Sequence, residues 1–137
     1  MLRSVLVAAA LLFAFPAAGT AVQQPLFELG RMGGNIEPFT VTIQTDGTVD
    51  HTGDVRLAHP GTQLSSARLA ALLRLARTQR FWTLPRRTLC PGALPDFASL
   101  YVTIHTGTTR TVIVRGGCKP RFARIYRALA AAATVTS

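Results

Sequence analysis

Two runs of alternating apolar and polar residues constrain this chain more than anything else in it. Phe39, Val41 and Ile43 alternate with Thr40, Thr42 and Gln44, and further along Leu100, Val102 and Ile104 alternate with Tyr101, Thr103 and His105. A period of two marks a strand with one buried face. Each run has a return. Asp46-Gly47 reads as a two-residue hairpin turn into Thr48 to Val55, where Val49 and Val55 keep the alternation and Gly53 weakens it. Thr106-Gly107-Thr108 turns the chain into Thr111 to Arg115, which Gly116-Gly117 stops. Each hairpin then leads to a helical pattern. Ser65 or Ser66 can cap a helix running to about Arg80, with Leu69, Leu72, Leu73 and Ala76 on one stripe. After Lys119-Pro120, the residues Phe122, Ile125, Tyr126, Leu129 and Ala133 form a second stripe.

The pattern predicts an α+β fold: a two-layer sandwich with an antiparallel sheet of four to five strands and two helices on one face, in ββα–ββα order. The optional fifth strand is Leu26 to Leu29 (LFEL), ahead of Gly33-Gly34. A shared Val-Thr-Ile, at 41–43 and 102–104, suggests an internal duplication. Phe81, Trp82 and Leu84 extend the first apolar stripe. Pro85, Pro91, Gly92 and Pro95 mark residues 85–97 as a loop without regular structure, and Cys90 lies in it.

Residues 1–21 read as a cleavable export signal: Arg3 is the charged start, Ser4 to Phe15 is almost wholly apolar, and Pro16 to Ala21 offers small residues to a peptidase. The apolar run is short of the ~20 residues that span a bilayer. Residues 22–137 are then expected to be one mature α+β domain in the periplasm or outside the cell, with no transmembrane segment. Of the 137 residues 48% are hydrophobic, enough for a core and too many for a disordered tail. Two cysteines in an oxidising compartment allow one intramolecular pairing, Cys90 with Cys118, a structural staple worth about 3.5 kcal/mol by loop-closure entropy. They are not the C-x-x-C of a redox pair.

A search for chemistry returns little. His51 and His59 with Asp50 or Asp54 could be imagined around a metal, and His105 is the third histidine, but no H-E-x-x-H or H-x-H spacing supports it. Ser65, Ser66 and Ser99 sit at helix or strand starts, where serine caps backbone, and no G-x-S-x-G marks a nucleophile. The six carboxylates include Asp46, which the turn uses, and five of them cluster early, which disfavours a paired-carboxylate hydrolase. No phosphate-binding or dinucleotide fingerprint occurs, so no cofactor is expected.

The chain resembles a family of small exported bacterial domains of unknown function. The likeness rests on Gly33-Gly34 before a hairpin, V-x-I-x-x-D-G-x-V (Val41, Ile43, Asp46, Gly47, Val49), Leu64-Ser65 at the helix start, and an aromatic residue (Phe81 or Trp82) followed by Leu84. Asp96 before the second hairpin and Pro120 before the last helix complete it. It covers roughly residues 26 to 133, and its motifs are turn, cap and loop positions. The layout is also similar to that of emfourin, a proteinaceous inhibitor of thermolysin-like metalloproteases. That similarity implies a secreted protease as partner and carries over no inhibitory residue.

Charge offers the remaining lead. Residues 22–54 hold Arg31 against Glu28, Glu37, Asp46, Asp50 and Asp54, whereas almost all other cations follow, with only Asp96 against them. Arg74 and Arg77 on the first helix, and Arg121, Arg124 and Arg127 on the second, project away from the apolar stripes and form a candidate anion-binding surface. The plainer reading is that helices need a solvated outer face, and fourteen Arg against one Lys looks like the codon bias of a GC-rich genome. Nucleic acid is a poor fit, because Phe122 and Tyr126 belong to the buried stripe and are not interleaved with the charge. The leading expectation is a monomeric, non-enzymatic exported module that binds a protein or an anionic envelope surface. The alternatives are a protease inhibitor and, behind it, a small hydrolase.

Overall fold

Both alternating runs fold as hairpins in the computed structural model, which describes residues 23–136. The export segment expected over residues 1–21 lies outside the described residues. The first hairpin pairs β2 (Phe39–Gln44) with β3 (Val49–Gly53), and the second pairs β6 (Ser99–Thr106) with β7 (Thr108–Arg115). They are joined through β1 (Pro25–Met32), which bonds antiparallel to β2 on one side and to β6 on the other. A short strand, β5 (Arg87–Leu89), runs parallel to β7 at the far edge. The sheet thus has six strands in the order β3-β2-β1-β6-β7-β5. The helices are α1 (Ser66–Thr78) and α2 (Pro120–Ala132), and β4 (Arg56–Leu57) pairs with β8 (Val135–Thr136) as a separate ribbon.

The α+β class stands, and four details of the expectation are corrected. The sheet has six strands instead of four to five, and it is mixed instead of antiparallel, because β5 runs parallel to β7. The order is not ββα–ββα, because β1 precedes the first hairpin and forms the centre of the sheet. Residues 85–97 are not wholly irregular, because β5 lies among them.

Register explains why one face is apolar. Val49, Ile43, Phe27 and Ile104 face one another in neighbouring strands, and so do Val41, Leu29, Val102 and Val112. All are buried together with Leu69, Leu72 and Ala76 of α1 and Phe122, Ile125 and Leu129 of α2 in one cluster. Both helices therefore cover the same sheet face, and each large side chain so buried contributes about 1.5–3 kcal/mol. The opposite face carries Thr40, Thr42, Glu28, Tyr101, Thr103 and Thr111, with hydrogen bonds between the hydroxyls of Thr40 and Tyr101 (2.6 Å) and of Thr103 and Thr111 (2.9 Å). Gly30 sits beneath Tyr101, whose hydroxyl would lie 2.8 Å from any Cβ placed there.

Local signals mostly act where expected. Ser65 caps α1 by accepting a bond from the Arg68 amide (3.1 Å), and Arg80, at φ 52°, ends the helix in the left-handed region. The first turn is wider than the two residues expected. Gln44 and Thr48 close it (N to O 2.8 Å) around Thr45, Asp46 and Gly47, with Gly47 at φ +89°. This is a three-residue hairpin loop with glycine at its left-handed position. Cys90 and Cys118 form a disulfide with Cα atoms 5.6 Å apart, tying the end of β5 to the entry of α2. No helix among the described residues is long and apolar enough to cross a membrane.

Candidate binding cleft

The five arginines singled out from sequence all lie exposed on the outer helix layer, and none is in an ion pair among the described residues. Arg127 differs from the others in also lining a cleft. That cleft lies between the second half of α2, the β4–β8 ribbon, and the sheet end where β1 finishes and β2 and β6 begin. It encloses about 910 Å³ and is walled by Phe39, Val55, Leu100, Tyr126, Ala130 and Val135. Three arginines, Arg31, Arg56 and Arg127, line it, against one acidic residue, Asp54.

Each element of this geometry follows from the fold. Arg31 belongs to the inward-facing set of β1 and sits opposite Phe39 in β2 and Leu100 in β6, beyond the last apolar row. A guanidinium there survives on a helix-covered face because it is held and solvated at once. It lies 5.1 Å from the centre of the Phe39 ring and donates to the Glu37 carbonyl through Nε (3.1 Å) and Nη2 (2.9 Å). Its contact with Asp54 is long, at 4.0 Å, and Asp54 is largely exposed, so this pair is worth little. Arg127 is steadied by donation from Nε to the Ala123 carbonyl (3.2 Å). Both keep free N–H donors on a fixed frame, because an arginine has five. Arg56 arrives through β4, where its carbonyl accepts from Thr136.

Tyr126 forms part of the apolar wall. Burial pushes its hydroxyl above the usual phenol range, and nearby Arg31 pulls in the opposite direction. Tyr101, on the other sheet face, is also raised, first by burial, with its bond from Thr40 opposing and the Glu28 charge adding. Neither phenol is poised as a base near neutrality.

The other candidates are dispersed. His51 lies exposed on edge strand β3 opposite Val41, and His59 is exposed in the loop after β4. No group of three His, Cys, Asp or Glu side chains able to hold a metal occurs among the described residues. His105 bonds Glu28 through Nε2 (2.8 Å) and Thr109 through Nδ1 (3.1 Å), a cross-strand pair on the open face. Ser65 caps α1, Ser66 begins it, and Ser99 is buried beside the Arg115 Nε (3.3 Å).

Sequence reasoning missed Arg31 and Arg56, which read as scattered background charge. The one available signal was Arg31 itself, an arginine in phase with Phe27 and Leu29. No protein-family model matches the chain, and neither a curated protein nor a solved structure matches it.

Proposed function

We propose that this chain is an exported, non-enzymatic binding module and that its ligand is an amphiphilic anion, a carboxylate or phosphate carrying an apolar tail, held in the cleft of Arg31, Arg56 and Arg127. The observation that carries this reading is a cleft lined by three arginines and one aspartate together with Phe39, Leu100, Tyr126, Ala130 and Val135. The volume falls in the usual range of small-molecule sites, which are mostly apolar with a few polar groups to fix orientation. Guanidinium is well suited to a planar carboxylate or a phosphate. Arg74, Arg77, Arg121 and Arg124 add long-range attraction for anions and a solvated outer layer.

Calorimetric titration with dodecanoate and with dodecyl phosphate tests the reading and separates the two head groups. Acetate and inorganic phosphate serve as tail-less controls. Binding should weaken about ten- to a hundred-fold in Arg127→Gln and in Arg31→Gln, the cost of a lost charge-assisted hydrogen bond. It should change little in Arg74→Gln or Arg121→Gln. Equal losses in all four would mean diffuse attraction, and no binding by either amphiphile would end the proposal. The emfourin-like alternative makes a different demand: near-stoichiometric loss of activity when the protein is added to a thermolysin-like metalloprotease.

A further inference from the structure

All five large apolar side chains most exposed among the described residues, Met32, Ile36, Leu89, Leu94 and Phe97 with their relative exposures of 37–67%, gather at one end of the sheet. Met32 ends β1 opposite Ser99, and Leu89 ends β5 opposite Arg115, whose side chain bonds Ser99. The β1–β2 loop, which carries Ile36, is locked against the loop that carries Leu94 and Phe97. The Asn35 amide donates to the Asp96 carbonyl (3.3 Å), and a Cβ on Gly34 would sit 2.7 Å from the Ala98 nitrogen. The second loop is pinned in turn by the disulfide, by the Phe97 amide on the Leu94 carbonyl (3.0 Å), and by Gly116 packed under Cys90 and Ala93. These side chains are thus displayed on a frame already ordered, so little conformational freedom remains to be lost on contact.

We propose that this end of the molecule docks on an anionic lipid surface, with Ile36, Leu94 and Phe97 entering the interface. Exposed apolar clusters of this kind mark contact with a protein or a membrane. Two features favour the membrane. The three side chains stand on two loops, Ile36 on one and Leu94 with Phe97 on the other, about half or more exposed, and a fluid interface accepts protruding side chains without a matching pocket. Arg87, Arg115 and Lys119 flank them and have no ion-pair partner among the described residues, while only Glu37 and Asp96 oppose them. Apolar tips among cations fit an apolar layer beneath anionic head groups. The inference does not depend on what occupies the cleft.

Co-sedimentation of the mature domain expected over residues 22–137 with phospholipid vesicles provides the test, since the core cluster of the described residues lies within it. The vesicles are phosphatidylcholine alone or with about one third phosphatidylglycerol. Partitioning onto the anionic vesicles is expected. It should fall about ten-fold or more in Leu94→Ser/Phe97→Ser and about five-fold in each of Arg87→Gln and Lys119→Gln. Thermal melts should be unchanged, because these side chains are already exposed. Dodecyl phosphate binding to Leu94→Ser/Phe97→Ser, read by calorimetry, should match wild type, so failure of one reading is distinguishable from failure of the other. Absence of partitioning, or a Leu94→Ser/Phe97→Ser variant that partitions like wild type, would overturn the proposal. So would a concentration-dependent dimer lost in that same variant, which would assign the patch to a second copy of the chain.

Discussion

Replacing Gly47 with valine should damage this protein well beyond what an ordinary turn substitution does. Gly47 is buried at φ +89°, and a Cβ there would collide with the Leu64 carbonyl. The left-handed conformation alone costs an L-residue about 1–2 kcal/mol. The collision also forces apart the segment leading into α1, where the Leu64 amide donates to the Gly47 carbonyl (2.9 Å) and Gln63 Nε2 donates to the Asp46 carbonyl (3.1 Å). Losing two such bonds adds about 1–3 kcal/mol. The sum is about 2–5 kcal/mol, or a drop in Tm of about 8–20 °C at ~4 °C per kcal/mol for a domain of this size. Gly107 supplies the control, since its φ is +59° but no atom lies within 4 Å of its would-be Cβ. Gly107→Val should therefore carry the conformational cost alone and lower Tm by about 4–8 °C. Thermal denaturation followed by far-ultraviolet circular dichroism reads both. Equal melting temperatures for the two variants would refute the claim that the hairpin loop is clamped by Leu64.

Two further outcomes are expected. Denatured, unreduced protein should show no reactive thiol, and reduction should destabilise the fold by about 3.5 kcal/mol in denaturant titration; two titratable thiols without reductant would contradict the Cys90–Cys118 bond. The Asp46 carboxylate is held below the ordinary carboxylate range, chiefly by the bond it accepts from the Thr48 amide (2.9 Å) and further by Gln23. A lowered folded-state value means its contribution is complete above the unfolded value and is lost as pH falls through the folded one. Part of the acid destabilisation should therefore be missing in Asp46→Asn, which can still accept from Thr48, and melts of the two proteins that fall in parallel down to strongly acidic pH would contradict this.

The parts of the fold legible in the sequence are those whose causes are local. The stripe of Leu69, Leu72 and Ala76, the Ser65 cap, the alternation through Val41 and Ile43, and the forced pairing of two cysteines each need only neighbours or arithmetic. What stayed hidden depends on remote partners. Arg87, Thr88 and Leu89 carry no alternation and sit among prolines; they form a strand because the free edge of β7 offers them hydrogen bonds. β1 showed only LFEL, since Gly30 breaks its pattern, and its central position comes from pairing with β6, which no local signal encodes. The cleft was hidden for the same reason. Arg31, Arg56 and Arg127 line one cleft only when β1, the β4–β8 ribbon and α2 are assembled, so Arg31 and Arg56 looked like solvated charges and Arg127 was grouped with the outer helix arginines instead.

The placement of β1 also sets a timetable for folding. Its first partner, β2, follows within a few residues, whereas its second partner, β6, is made only after α1 and the proline-rich loop. A chain emerging from its N-terminus can build the β1–β2–β3 meander early, yet it must carry one long open strand edge until residues 99–106 arrive. That edge is bordered by Phe27 and Leu29, side chains that end with no exposure at all. Distant pairing of this kind slows folding and leaves an interval in which another strand can be captured instead. Conditions that lengthen the interval, such as slow elongation or truncation before β6, would favour aggregation through β1, so the strand that completes the sheet is also its point of greatest hazard.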